Sequence, residues 1–585
     1  MHVRANKVLL LSSSLVTLTL LGAAAYRENF GSEWRRIQRE YRRRLPAESS
    51  DFNVQLRQVV VPELGVTDRC VSCHVGMAPG ENVAQAHPLF GRHPDVVHDP
   101  AEYGCTVCHG GQGRATERAA AHGDVAHWPE PMIPRRFASA GCGSCHSHLE
   151  VPNLAVLEHG RTLVERLDCL ACHALDGRGG TTRPGGGTTT NAPDLSRVGG
   201  AGFDPDWLRN HRAQRDTSWA PAWKASFGDV GAEEARSIAT FLSSRVGAPG
   251  LVESKAVFHS LGCRGCHKVG GVGGDDGPDL TRIGQLDPGQ RGFTHVRSPG
   301  WQGVGTHTVA AWMAEHFRRP GVVTPGSAMP VLGLDDAEIE ALTLYMLSLR
   351  RSTLPEAFSP ADRVRAERFG AREFSTDGAT LYGTFCAACH GSRGEGMRYA
   401  GAPAFPAIGN PDFLTLASDT LIRQTVMHGR RGRRMPAWGE SAGGLRPAEI
   451  DSVVAYVRSF GRGLQPIEAG RPTRWVRGDV ALGRTLYATS CAPCHGAEGA
   501  GGEGPSLRDP ILLTHASDTY FVETIRRGRR GTSMDGFGTG TTTRRELSNA
   551  EIEAIVTFIR NWDETGRVAA SSGAAPARVE ANHAH

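Results

Sequence analysis

Residues 70–74 read Cys70-Val-Ser-Cys73-His74, residues 105–109 read Cys105-Thr-Val-Cys108-His109, and residues 142–146 read Cys142-Gly-Ser-Cys145-His146. The pattern C-x-x-C-H returns four more times, at Cys169, Cys172 and His173, at Cys263, Cys266 and His267, at Cys386, Cys389 and His390, and at Cys491, Cys494 and His495. The chain has 14 Cys, and seven motifs of two use all of them, leaving none for a disulfide or a thiol nucleophile. C-x-x-C pairs also build tetrahedral zinc sites, but zinc does not require a His directly after every second Cys. A redox C-x-x-C would not recur seven times.

What the pattern does match is the attachment signature of a c-type haem, in which two thiols add to the vinyl groups and the adjacent His ligates the iron. Seven covalently attached haems are therefore expected. The remaining composition suits this. Aromatics make up 7% and hydrophobics 39% of 585 residues, lean for large all-protein cores and adequate for several small units wrapped round a cofactor. The formal charge of +4 omits the haem propionates, so it indicates no nucleic-acid partner.

At the N-terminus, Val8–Ala25 is an uncharged apolar-rich run of 18 residues after Arg4 and Lys7. It reads as a membrane anchor, although somewhat short, or as a signal peptide with Ala23-Ala24-Ala25 at the cleavage region. Seven Arg between Arg27 and Arg44 argue by the positive-inside rule for a cytoplasmic bulk, which conflicts with haem attachment outside the cytoplasm. Glu33–Leu45 has helical spacing, with Trp34, Ile37, Tyr41 and Leu45 on one stripe and Arg on the others. It would lie on anionic lipid, grip a membrane partner, or act as a solvated spacer.

Haems one to three share residues 67–150, too little chain for three separate folds. This segment is rich in spare His (His87, His93, His98, His122, His127 and His148, with His159 just beyond) and poor in Met. Bis-His ligation is the economical reading, and His93, His122 and His159 are the candidates chosen. From Val151 onward one plan repeats four times: an opening apolar turn, C-x-x-C-H, a Gly/Pro-rich loop, and a closing amphipathic helix. Ile339, Leu342, Met346 and Leu349 show the helical period, while Ser548 with Glu551 and Asp335 with Glu338 read as capping boxes.

These four segments resemble class I cytochrome c, over about the last 410 residues. The resemblance implies paired N- and C-terminal helices beside each haem and a Met as upper ligand. The matching residues are Met329, Met435 and Met534, which lie 62, 45 and 39 residues after their motif His. In the first repeat Ala220 stands where the Met should be, 47 residues after His173. Either a substitute such as His211 ligates that iron, or the iron is five-coordinate. Arg430, Arg431, Arg433 and Arg434, and again Arg526, Arg527, Arg529 and Arg530, precede the last two Met. They would steer an acidic redox partner or bind their own haem propionates.

The expected fold is mainly α: an N-terminal helix anchor, a compact loop-rich tri-haem segment, then four tandem class I cytochrome c-like domains. The divisions are 1–26 (anchor or signal peptide), 27–66 (basic amphipathic helix and linker), 67–150 (tri-haem segment), 151–246 (domain lacking the Met), 247–352, 371–464 and 477–566 (cytochrome c domains), and 567–585 (a disordered tail). The N-terminal part is similar to multihaem cytochromes that accompany quinol-oxidising complexes, of the cytochrome bc and alternative complex III kinds. The resemblance implies electron relay from such a complex to a soluble acceptor, a small cytochrome c or a terminal oxidase, at the periplasmic face of the bacterial inner membrane. The alternatives are a multihaem oxidoreductase acting on a small inorganic substrate at an open haem, and a conduit for extracellular electron transfer. No catalytic residue is singled out, and an electron-transfer subunit is favoured over an enzyme.

Overall fold

The structure is a computed structural model. It describes residues 2–571 apart from 46–51, 78–88, 92, 95, 126–127, 129, 181–191, 202–229, 286–307, 351–352, 400–403, 431–433, 465–466, 468–470 and 543. Ala220 and His211 therefore lie outside the described residues, as do His87, His127, Arg431, Arg433 and most of the expected tail. The chain is mainly helical, and its described strands form three two-stranded antiparallel pairs. It divides into two compact units. The first holds Met1–Lys255, Arg282–Ser327 and Leu332–Glu373; the second holds Ala256–Thr281, Ala328–Val331 and Phe374–His585.

In the first unit the apolar run expected over 18 residues lies within a longer helix, His2–Phe30. At about 1.5 Å per residue this exceeds the roughly 30 Å of a bilayer core. Its apolar window has a mean hydropathy of 2.0, and none of that window is buried against the described residues. Glu33–Arg44 forms the expected second helix, but its stripe faces protein. Ile37 and Tyr41 pack with Val75 and Phe90, and the Gln38 amide donates to the carbonyls of Gln55 (2.9 Å) and Ser72 (3.0 Å). Only the Arg faces remain for lipid or a partner.

The tri-haem segment is built by close backbone approach. Val59–Val61 pairs with Val66–Asp68 through a turn at Gly65, whose φ of 67° favours glycine. The strand ends on Asp68, 1% exposed, whose carboxylate accepts from the Cys105 N–H (2.6 Å), the Thr106 N–H (2.7 Å) and the Thr106 hydroxyl (2.8 Å). One side chain thus caps the second motif turn from two residues before the first motif. At Gly141 a Cβ would sit 1.8 Å from the Cys108 carbonyl oxygen, so the second and third motifs touch backbone to backbone.

The next repeat pairs Leu154–Arg166 with Ala232–Ser243. A Cβ at Gly160 would lie 2.1 Å from the Ser237 carbonyl oxygen. The second unit uses the same device twice, Gly378 against Ser452 (2.2 Å) for Gly378–Phe385 on Pro447–Ser459, and Gly483 against Ala554 (2.0 Å) for Val480–Ser490 on Asn549–Ser571. One apolar core runs from Phe374 to Ile559 through both of these repeats. The expected capping boxes form at Asp335/Glu338 and at Ser548/Glu551.

The repeat at 247–352 is laid out differently. Its opening helix Pro249–Ser260 runs through the division between units at Lys255. Eight residues before the motif, where the last two repeats have Gly, stands Lys255, which is buried. Its ammonium donates to Glu373 (2.7 Å) and to the carbonyl of Leu149 (3.0 Å). The closing helix Asp336–Ser348 packs on the 3₁₀ segment Arg135–Ser144, with Gly143 against the Ser348 carbonyl. That helix thus completes the tri-haem segment.

Candidate haem-binding sites

Every motif forms the same tight turn. The motif His N–H donates to the carbonyl of the first Cys at 2.8–3.0 Å in all seven, from His74 on Cys70 to His495 on Cys491. The second Cys N–H reaches the same carbonyl at 3.0–3.3 Å. Both Cys and the His are thereby held within a single turn, as attachment requires. All 14 thiols are free of disulfides. Burial pushes the Cys108 thiol up to about 11 and the Cys386 thiol up to about 12. Among the described residues no three or more His, Cys, Asp or Glu side chains converge on a metal-sized point, so a tetrahedral zinc site is not assembled there.

The far side of each motif His differs between the two kinds of segment. In the four repeats Nδ1 faces a Pro carbonyl: His173 with Pro193 (2.8 Å), His267 with Pro278 (2.9 Å), His390 with Pro406 (2.9 Å) and His495 with Pro505 (2.8 Å). An Nδ1–H donated there fixes the ring and leaves Nε2 as the ligating nitrogen. Gly277 and Gly504 pass directly over the rings of His267 and His495, where a Cβ would meet Cε1 at 2.4 and 2.7 Å. A sequence signal for this was available: a Pro lies 10 to 20 residues after each of these His.

In the tri-haem segment each motif His faces a second His. The ring centres are 6.4 Å apart for His74 and His122, 6.1 Å for His109 and His93, and 6.0 Å for His146 and His98. Two imidazoles on opposite sides of one metal, with bonds of about 2.0–2.1 Å, would place their centres roughly 6 Å apart. The residues thus fit a haem held between each pair. Burial, and next the facing ring, hold His74, His98 and His109 below the ordinary histidine range, in the neutral form that ligation needs.

Two of the three sequence candidates, His93 and His122, stand opposite motif rings. His159 does not. It lies on helix Leu154–Arg166 with Nδ1 3.2 Å from the Ser237 hydroxyl, and His98 occupies the third facing position. His98 precedes Asp99, which caps Pro100–Tyr103, and nothing in the spacing of the spare His distinguished it.

The three Met lie in loops. Met435 and Met534 are each fixed by a backbone bond, their carbonyls accepting from the N–H of Arg430 (3.0 Å) and Arg529 (2.7 Å). Met329 is half-buried in the short stretch Ala328–Val331 that belongs with the Cys263–His267 motif in the second unit. Three of the described Arg before Met435 and Met534 reach neighbouring repeats, whereas Arg526 and Arg527 bind Glu523 within their own. Arg434 pairs with Asp276, Arg430 donates to the Ser506 carbonyl, and Arg530 donates through its backbone N–H to Asp412 (2.8 Å). The loops are therefore clamps between successive repeats, a use the sequence reading did not weigh. Attachment sites also adjoin: the side chains of Cys70 and Cys105 neighbour each other, as do those of Cys266 and Cys389.

Known families match these repeats. The cytochrome c family model matches residues 251–350 and 480–563, and the model for cytochrome c oxidase, cbb3-type, subunit III matches residues 375–457. The chain is a membrane-anchored multihaem c-type cytochrome. The cytochrome is similar to the cbb3-type cytochrome c oxidase subunit FixP of Bradyrhizobium sp. (strain ORS 278), 37% identical over 164 residues, 26% of this chain and 51% of the relative. It is also similar to subunit CcoP of Azospirillum sp. (strain B510), 30% identical over 201 residues, 32% of this chain and 60% of that protein. The cytochrome thus spans about half to three fifths of the length of these relatives. A solved complex, the Kuenenia stuttgartiensis reducing HAO-like protein complex, aligns over 32% of the cytochrome and 94% of its own chain at 22% identity, with a TM-score of 0.23. The cytochrome carries cytochrome c domains, which bind haem c covalently.

Proposed function

We propose that this cytochrome carries seven haems and relays electrons from a membrane quinol-oxidising complex, of the cytochrome bc or alternative complex III kind, to an acceptor at the periplasmic face. The observation that carries the reading is that one chain offers two ligand environments in sequence. His93, His98 and His122 face motif His near the anchor, whereas Met329, Met435 and Met534 stand in the later repeats. Each bound haem supplies a one-electron iron couple, and a Met ligand raises its potential relative to His. The gradient this implies runs from low near the membrane to high in the last repeats. The names of the relatives favour a terminal oxidase on the acceptor side, with a small cytochrome c as the other candidate.

The chain's own part is to hold the sites. The Asp68 cap and the Gly141 contact fix the first three motifs to one another, and the Arg clamps fix the last three. Mild solubilisation of native membranes, followed by purification and a redox difference spectrum, tests the assignment. Co-purifying quinol-oxidising subunits and seven haems per chain are expected. Recovery with oxidase subunits alone would overturn the donor assignment, and a redox titration with the Met-ligated haems lowest would overturn the direction. The enzymatic alternative rested on Ala220, which lies outside the described residues.

A further inference from the structure

The segment between the second and third cytochrome repeats has a charged, linker-like composition, and it forms a helix, Ala361–Phe369. Its Asp362 reaches a motif histidine 216 residues away: Oδ1 lies 2.9 Å from His146 Nδ1. The Asp362 side chain is 9% exposed, and its other oxygen accepts from the His148 N–H (3.3 Å). Four other motif His face a neutral Pro carbonyl at this position, so the site at His146 is chemically different.

We infer that Asp362 is a positioning residue that sets the third haem to a lower potential than its bis-His neighbours. A carboxylate accepting the Nδ1–H of a ligating imidazole makes that imidazole a stronger donor and places negative charge close to the iron. Both effects favour the ferric state, and hydrogen bonding around a haem ligand is one of the protein's levers on potential. A Pro carbonyl orients the ring equally well but carries no net charge. At His74 the buried Nδ1 has no hydrogen-bond partner among the described residues, so the first and third paired sites differ in how their motif ring is held. The inference rests on the reading that a haem sits at Cys142–His146.

The test is a spectroscopic redox titration of the full-length holoprotein, as wild type and as Asp362→Asn, which keeps an acceptor and removes the charge. Glu367→Gln on the same helix is the control for a general loss of charge. One haem is expected to move up in potential in Asp362→Asn, with the low-spin signal of that haem altered and the others unchanged; Glu367→Gln should leave all in place. A full haem complement with no haem displaced, or an equal displacement in Glu367→Gln, would overturn the inference. The underlying reading fails separately: a Cys142→Ser/Cys145→Ser variant that loses no haem would remove the third site altogether.

Discussion

The tri-haem segment and the last two cytochrome repeats use one attachment motif and stabilise it by opposite means. In the repeats, an opening and a closing helix cross at a glycine, bury a shared apolar core from Phe374 to Ile559, and present the motif at the end of the first helix. In the tri-haem segment there is little helix to pack. The motifs lean on one another through Asp68 and Gly141, and on a helix borrowed from residues 336–348. C-x-x-C-H by itself fixes only the local turn. What surrounds it decides whether the motif His is oriented by a Pro carbonyl or faced by a second His.

The strongest way to break this contrast is to remove a facing ring. His98→Ala, His93→Ala and His122→Ala should each free one coordination position, so that reduced protein binds carbon monoxide at one haem more than wild type. His159→Ala should not. If His159→Ala gains carbon monoxide binding and His98→Ala does not, the third pair has been misassigned. A smaller but still large effect is expected at the helix crossings. Gly483→Val would drive a Cβ to 2.0 Å from the Ala554 carbonyl, and overpacking of this kind costs about 1–3 kcal/mol. Thermal unfolding should show the loss, with the haem at Cys491 most affected. Unchanged unfolding would mean that the two helices can separate without cost.

Asp68 sharpens the comparison from the other side. Asp68→Ala leaves the Cys105 and Thr106 N–H groups and the Thr106 hydroxyl without their buried acceptor. Leaving buried donors unsatisfied costs about 1–3 kcal/mol. The expected outcome is a lower yield of the haems at Cys70 and Cys105, measured by haem content and proteolysis of the N-terminal half, with the C-terminal repeats intact. Uniform loss across all the haems would show that the two regions do not fold separately.

How much of this was legible in sequence depended on whether the controlling contact was local. The seven turns, the amphipathic closing helices and both capping boxes follow from residues a few positions apart, and they form as expected. The helix at Glu33–Arg44 was also legible, but its partner was not, because a stripe of Trp34, Ile37 and Tyr41 suits protein and lipid equally. The clamps Arg434–Asp276 and Arg530–Asp412, the buried pair Lys255–Glu373 and the bond Asp362–His146 all join residues more than 100 apart. No periodicity encodes such pairs. Asp362 in particular sits in a run of Arg and Glu that has the composition of a solvated linker. His98 was hidden for a related reason: its neighbours are also His, and only the path of the backbone decides which ring arrives opposite His146.

The smallest predicted effect concerns the closing-helix grammar of the last repeat. Glu551 receives hydrogen bonds from Arg545 and from the Ser548 backbone, which lower its carboxyl to about 2. An unfolded Glu titrates near about 4.3. Because the folded value is the lower one, the contribution to stability is fully present above about pH 4.3 and is lost as pH falls toward about 2. Glu551 is exposed, so water and salt screen the pair and the effect should be modest. Glu551→Gln should therefore lower the unfolding temperature of the C-terminal repeat slightly at pH 6 in low salt, and the gap to wild type should close in acid and in high salt. The tri-haem segment, which has no such box among its described residues, should be indifferent to the substitution at every pH. A gap that widened in acid would mean that Glu551 acts through something other than its charge at the helix start.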